Sequence, residues 1–350
     1  MNAGTLSLVH ESCEITAYMR KILFVGHLNA WMGIHLKQFV SSFSALNHQT
    51  SLWDYQKLED SWNPFHRSAA AKSERLQRRL KDIILEEKPD LVFLIISHLK
   101  IDFARLREYF HGQLVVYDMD GPDWKCYEHL AWTKHFDMLF TASKVSWRQL
   151  QQNGIKSAYL PHGIDVHYFR PLELSPPDQH YYGSPISFVG RPTPRRVQML
   201  AAVAPCGLTL WGRRWHRRNE CDNPELWRCV KEKNDIIGKN VLKIYNASTL
   251  FVNTLRDALS NPPTIMSLQV FTVPSCGGCL LTEWVEELEE AFDPGKELLV
   301  FHNIQELKEL AERYTKDIAA AKKIGLAGRK RCLAEHTHEH RAKYILQCLE

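Results

Sequence analysis

Two arginine clusters sit beside glycines in the second half of the chain. In "GRPTPRR", Gly190 and Arg191 follow an apolar run, and Arg195 and Arg196 fall where a helix would begin. Guanidinium forks match phosphate oxygens, and a helix N-terminus adds a favourable dipole, so this loop suits a phosphate. A solvated basic loop would have the same composition. "LWGRRWHRRNE" gathers Gly212, Arg213, Arg214, Trp215, Arg217 and Arg218 within one short stretch. Such a cluster could clamp phosphates, stack a base, form a nucleic-acid patch, or simply be solvated. Asn253 ends a later apolar run, and "SNPPTIMSLQVF" then combines capping residues with prolines, a helix-start signature. Thr264, Met266 and Ser267 would lie nearest that helix end, which is equally compatible with an ordinary capped helix.

The first third of the chain offers different chemistry. "GHLNAWMG" carries Gly26, His27, Asn29 and Trp31 between a strand-like run and a helix-like one. "DMDGPD" puts Asp118, Asp120 and Asp123 just past the end of a strand-like run, and His98 stands in the same relation to "LVFLIIS". An aspartate there could take a proton as general base or hold a cation. A turn closed by its own side chain is the structural alternative. Asp120, His27 and His98 are the catalytic candidates, with Gly26, Asn29, Trp31 and Asp118 beside them. Cys276 and Cys279 in "CGGC" lack a second cysteine pair at zinc spacing and read as small residues in a turn. His336, His338 and His340 fall on an exposed-looking helix, and only the His336–His340 spacing suits a zinc protease. No metal site is expected.

Positioning such groups takes strands that end together. Residues 22–25, 52–55, 89–97, 113–121 and 136–143 are short apolar runs separated by helix-period segments. Buried parallel strands alternating with helices produce that pattern. A polar, proline-rich stretch follows Pro171, and the alternation resumes at 186–191, 208–212, 248–253, 279–283 and 298–301 before a helical tail at 304–349. The expected fold is α/β, with two doubly wound Rossmann-like domains facing across a cleft. The first would span 1–170, a linker 171–184, and the second 185–335. A C-terminal helix at 336–350 would pack back toward the first domain. "LPHGIDVHYFRP", 160–171, is then the seam, its glycine and prolines pinning the chain between the sheets. Ligands of open sheets bind at the carboxyl ends of the strands.

Composition agrees with two domains, because 350 residues exceed what one core comfortably holds. With 45% hydrophobic and 24% charged residues, the chain is an ordinary globular one. A net charge of +4, from 44 basic and 40 acidic residues, does not by itself indicate nucleic acid. No run approaches the roughly 18 apolar residues of a membrane span. The first residues lack the apolar core of a secretory signal. Nine cysteines, an odd number, fit a reducing compartment, so a cytoplasmic location is expected.

The order of these features resembles the GT-B fold of nucleotide-sugar glycosyltransferases. Their seam pattern Pro-x-Gly-x-Asp-x-x-x-Phe-x-Pro is matched at Pro161, Gly163, Asp165, Phe169 and Pro171, and "FVGR" resembles their first C-domain strand and loop. The CgeB-like, spore-maturation-protein-like branch is the nearest in pattern. Its later segment resembles "QVFTVPSCGGCLLTEWVEELEEAFDPGKELLVF", and its terminal helix resembles "HTHEHRAKYIL" at His336, Thr337 and Arg341. The resemblance implies transfer of a sugar from a nucleoside-diphosphate sugar, such as a UDP-sugar, to a hydroxyl of a glycan or small molecule. It implies no cofactor beyond that co-substrate and no metal. The donor side would comprise Gly190, Arg191, Arg195, Arg196, Gly212, Arg213, Asn253, Thr264, Met266, Ser267, Gln269 and Thr272. Gln269 and Thr272 stand where the branch has arginine and glutamate, and Thr264 where a sugar-contacting glutamate is common. Two other readings follow. The arginine–tryptophan cluster would suit a DNA-modifying glycosyltransferase acting on a hydroxylated base, and Gln269 with Thr272 would suit a catalytically silent GT-B binding module.

Overall fold

The computed structural model of the chain describes residues 19–28, 32–55, 69–96, 101–119, 130–255 and 265–350. Asn29, Trp31, His98, Asp120, Asp123 and Thr264 lie outside them. The first domain contains β1 (Lys21–Gly26), β2 (Gln49–Asp54), β3 (Leu91–Ile96), β4 (Gln113–Asp118), β5 (Met138–Thr141) and β6 (Ser157–Tyr159). Between them run α1 (Met32–Ala45), α2 (Ala69–Glu87), α3 (Phe103–Arg107) and α4 (Lys144–Gln152). The sheet is parallel in the order β2-β1-β3-β4-β5-β6. Ile22–Val25 and Leu91–Ile95 are wholly buried, as strands covered on both faces must be. Phe39 and Phe43 of α1 cover one face, and Leu80 and Ile84 of α2 the other.

The second domain repeats the plan. Its helices and strands are α5 (Pro176–Tyr182), β7 (Ser184–Val189), α6 (Pro194–Val203), β8 (Leu208–Trp211), α7 (Pro224–Arg228), β9 (Val230–Glu232), α8 (Lys239–Ala247), β10 (Ser248–Asn253), α9 (Gln269–Ser275), β11 (Cys279–Glu283), α10 (Leu288–Ala291) and β12 (Leu299–Phe301). Three helices close the chain: α11 (Ile304–Tyr314), α12 (Ile318–Glu335) and α13 (His338–Leu349). This sheet is also parallel, in the order β12-β11-β10-β7-β8-β9. Two six-stranded parallel sheets with flanking helices are the doubly wound pair that the apolar runs require. No helix among the described residues is long and apolar enough to cross a membrane.

Local chemistry moves several boundaries. The stretch at 171–184 contains α5, whose Ser175 side chain caps the helix and whose prolines occupy its first turn. The prolines that suggest a linker are thus a helix start, and β7 already begins at Ser184. Edge strand β9 has no fully buried residue and so leaves no apolar run to read. The helix start expected at Pro262 and Pro263 lies outside the described residues; the next described helix, α9, opens at Gln269, and residues 265–267 are not helical.

At the seam, the Asp165 carboxylate accepts the His167 and Tyr168 amides at 2.8 and 3.1 Å and is also held by Gln38 of α1. Ile164 pairs with Thr337 in an isolated bridge. A Cβ at Gly163 would lie 3.0 Å from both Arg341 Cγ and His338 Nδ1, so a larger residue at the crossing would press on both side chains. Thr337 caps α13 reciprocally with His340. Ala342, Ile345, Leu346 and Leu349 of α13 join the first domain's core beside Phe39. His336 and His338, expected on an exposed helix, are therefore buried. A second tie runs from α4 to the segment after β11: Glu287 accepts the Lys144 amide at 3.1 Å, Lys144 pairs with Glu290, and Arg148 pairs with Glu286.

Candidate functional site

In each sheet the strand order reverses once, between β1 and β3 and between β7 and β10. The carboxyl ends of the strands at such a switch leave a crevice for ligands. At the second switch, Gly190 and Arg191 follow β7 while Asn253 and Thr254 end β10. Thr193 caps α6 by accepting the Arg196 amide, and Pro194 takes the first turn, so the helix points its N-terminus at this edge. Gly212 has φ +132, and a Cβ there would sit 2.5 Å from the Gly190 carbonyl. Only glycine lets the loops after β7 and β8 approach so closely.

Trp215 is fully buried rather than presented to the crevice or the surface. Its indole N–H donates to the Gly190 carbonyl at 2.8 Å, and its ring meets Phe188 edge-on at 5.8 Å. It is a pillar beneath the glycine loop. Trp215→Phe keeps most of the apolar volume but leaves that carbonyl unmatched, so unfolding free energy should fall by about 1–3 kcal/mol. Urea titration checks this, and a loss near zero would remove the pillar role.

The arginines of the two clusters divide by their partners. Arg195 pairs with Glu283 at the end of β11. Arg196 donates to the carbonyls of Arg191 and Thr254, both at 3.1 Å, and lies 5.2 Å over the Phe188 ring. It thereby ties one lip of the crevice to the other. Arg191 and Arg213, from different loops, converge on Asp235 at 3.3 and 2.9 Å. Arg214 and Arg217 share Glu220, while Arg218 covers Trp227. The second cluster is thus largely matched by local acids and an aromatic ring.

Asn253 is buried, donating to Thr282 Oγ1 at 2.8 Å and accepting from Ser267 at 3.1 Å. It braces the strand end, and Met266, the chain neighbour of Ser267, is buried. Gln269 opens α9 and donates to the Val189 carbonyl at 3.2 Å, at the tip of β7. Thr272 is buried one turn on. Burial pushes the Tyr245 hydroxyl up. The positions where the resembling branch carries charge therefore hold neutral groups around a neutral phenol.

On the first domain's edge, His27 follows Gly26 at the end of β1 and meets the Tyr55 ring edge-on at 5.3 Å. The Leu28 amide donates to Asp54 at 3.2 Å, fixing where this loop leaves the sheet. Asp118 closes β4, half-buried, and its carbonyl accepts the Ala142 amide at 3.1 Å. Burial pushes the thiols of Cys276 and Cys279 up to about 12. Among the described residues, no group of three or more His, Cys, Asp or Glu side chains is placed to hold a metal ion.

The fold thus brings Gly190, Arg191, Arg195, Arg196, Gly212, Arg213, Ser267 and Gln269 to one sheet edge. Glu283 and Asp235 belong to the same edge and escape a reading that looks for basic and glycine-rich loops. An acid closing the apolar run "CLLTE" was the available signal for Glu283.

Residues 195–347 match the family model described as glycosyl transferase-like. No curated protein matches the sequence. Among solved structures, sucrose-phosphate synthase from Thermosynechococcus elongatus is similar with a TM-score of 0.68 at 15% identity, covering 94% of this chain and 98% of that one. A glycosyltransferase from Rickettsia africae gives 0.67 at 14% identity, covering 95% and 98%. HepE of Anabaena, solved in complex with UDP-glucose, gives 0.65 at 14% identity, covering 94% and 99%. The chain has the GT-B fold, and from Arg195 to Gln347 it matches the glycosyl transferase-like family.

Proposed function

We propose that this protein is a GT-B glycosyltransferase that moves a sugar from a nucleoside-diphosphate sugar, most simply a UDP-sugar, to a hydroxyl acceptor. One observation carries the reading: Arg191, Arg195, Arg196 and Arg213 gather with the α6 N-terminus at the β7/β10 switch of the second domain. That is where a diphosphate can be met by cations and by a helix dipole. The family match over 195–347 and the UDP-glucose complex of a similarly folded protein support it. In this reading, arginines rather than a metal stabilise the departing diphosphate. The acceptor would enter over the first domain's edge, where His27 and Asp118 stand; with His98 and Asp120, which lie outside the described residues, they are the candidates for general base. The order of motifs favours the CgeB-like branch. The DNA-acceptor reading loses its motivation, because Arg213, Arg214 and Arg217 are paired with acids and Trp215 is buried.

Calorimetry with UDP and UDP-glucose in the presence of a chelator tests this. Binding is expected, and Arg195→Ala should weaken it by about 1.5–3 kcal/mol, the value of a hydrogen bond to a charged group. No heat at millimolar nucleotide from the unsubstituted chain would sink the reading.

A further inference from the structure

Glu283 closes β11 with its side chain turned inward, only 4% exposed. One carboxylate oxygen meets Arg195 Nη2, and the other accepts the Leu255 amide at 3.2 Å. A carboxylate is kept in such a place only when each oxygen is matched. Its two partners lie on opposite lips of the switch crevice, Arg195 in the first turn of α6 and Leu255 just past β10. Glu283 therefore grips both lips from below, while Arg196 spans them from Arg191 to Thr254. The Arg195 side chain remains 35% exposed, so its guanidinium is oriented by Glu283 without being enclosed.

We infer that Glu283 is a positioning residue of the donor site, holding Arg195 and Leu255, the second residue after β10, in register for a diphosphate. The inference rests on the donor-site reading above. It also accounts for the neutral side chains at Gln269 and Thr272. The fixed carboxylate of this crevice comes from the end of the neighbouring strand instead of from α9. Because Glu283 acts through Arg195, its loss should affect recognition of phosphates and leave recognition of the nucleoside alone.

Calorimetry on the full chain should compare UDP with uridine. In Glu283→Gln, the advantage of UDP over uridine is expected to shrink at least tenfold, with uridine affinity unchanged. Arg195→Ala should show the same shrinkage, and the double variant should lose little more than either single one, as coupled neighbours do. Glu283→Asp keeps the charge but draws it back, and should give an intermediate loss. It also serves if the glutamine variant does not fold. An unchanged ratio, a tighter UDP complex, or an equal loss for UDP and uridine overturns the inference. Failure of the unsubstituted chain to bind UDP would instead show in the reference measurement, and removes the donor-site reading together with this one.

Discussion

Lowering the pH from about 6.5 to about 4.5 is expected to remove most of this protein's stability. Four histidines are buried where α1, the seam and the C-terminal helix meet: His35, His162, His336 and His338. His35 Nδ1 lies 3.0 Å from His338 Nε2, a bond that needs one ring nitrogen as donor and the other as acceptor. Protonating both rings destroys it. Burial holds His35 down to about 4, and burial with the neighbouring Arg341 charge holds His336 down to about 3. Burial with His35 and Arg341 holds His162 down to about 3 and His338 well below the ordinary value. Each group is thus neutral in the native state at a pH where the unfolded chain has already bound its proton. Stability is complete above the unfolded value of 6.5 and is lost as pH falls toward the depressed values. Each histidine contributes up to about 1.4 kcal/mol per pH unit. Together, over about two units, they can remove up to about 11 kcal/mol, most of a total stability of about 5–15 kcal/mol. Glu287, raised by burial, works in the opposite sense but is a single group. Urea unfolding between pH 7 and 5 should show a slope equivalent to roughly three or more protons taken up on unfolding near pH 5.5. A flat profile there would mean that the cluster is solvated.

Arg341→Ala should be the most damaging single substitution in the seam. The residue is 8% exposed and donates to the carbonyls of Pro161, His162 and Glu335, with His336 Nδ1 3.0 Å from Nη2. Those carbonyls close the end of the first sheet and the end of α12, so one guanidinium joins the crossing in both directions. Truncation leaves them buried and unmatched at about 1–3 kcal/mol each, a loss of about 4 kcal/mol or more. Arg341→Lys keeps the charge but not the planar fork, and should recover less than half of that loss. Chemical denaturation at pH 7.5, above the histidine window, separates this effect from the first. A loss below about 1 kcal/mol for Arg341→Ala would contradict the assigned role.

The sequence by itself determined the class of fold and the edges at which chemistry can occur. Continuous apolar runs such as "KILFVG" and "LVFLII" can be satisfied only inside a parallel sheet covered on both faces. Their ends then place Gly26, Asp118, Gly190 and Asn253 at carboxyl edges. The spacing of Pro161, Gly163, Asp165 and Phe169 likewise marked the crossing. Pairing was decided only by tertiary structure. Asp235 lies outside every apolar run, and nothing local says that it joins Arg191 to Arg213 across two loops. Trp215 reads as an aromatic of either the cleft or the surface among arginines until the Gly190 carbonyl arrives to accept its N–H. His338 reads as exposed until α13 turns it against His35, about three hundred residues earlier in the chain. The physical reason is common to all three. Periodicity reports which side of an element faces apolar surroundings, whereas a buried polar group is satisfied by whichever partner the fold brings within about 3 Å. That partner is set by the crossing of elements distant in the chain, as with Glu283, where an acid at a strand end meets an arginine and a backbone amide from two other loops.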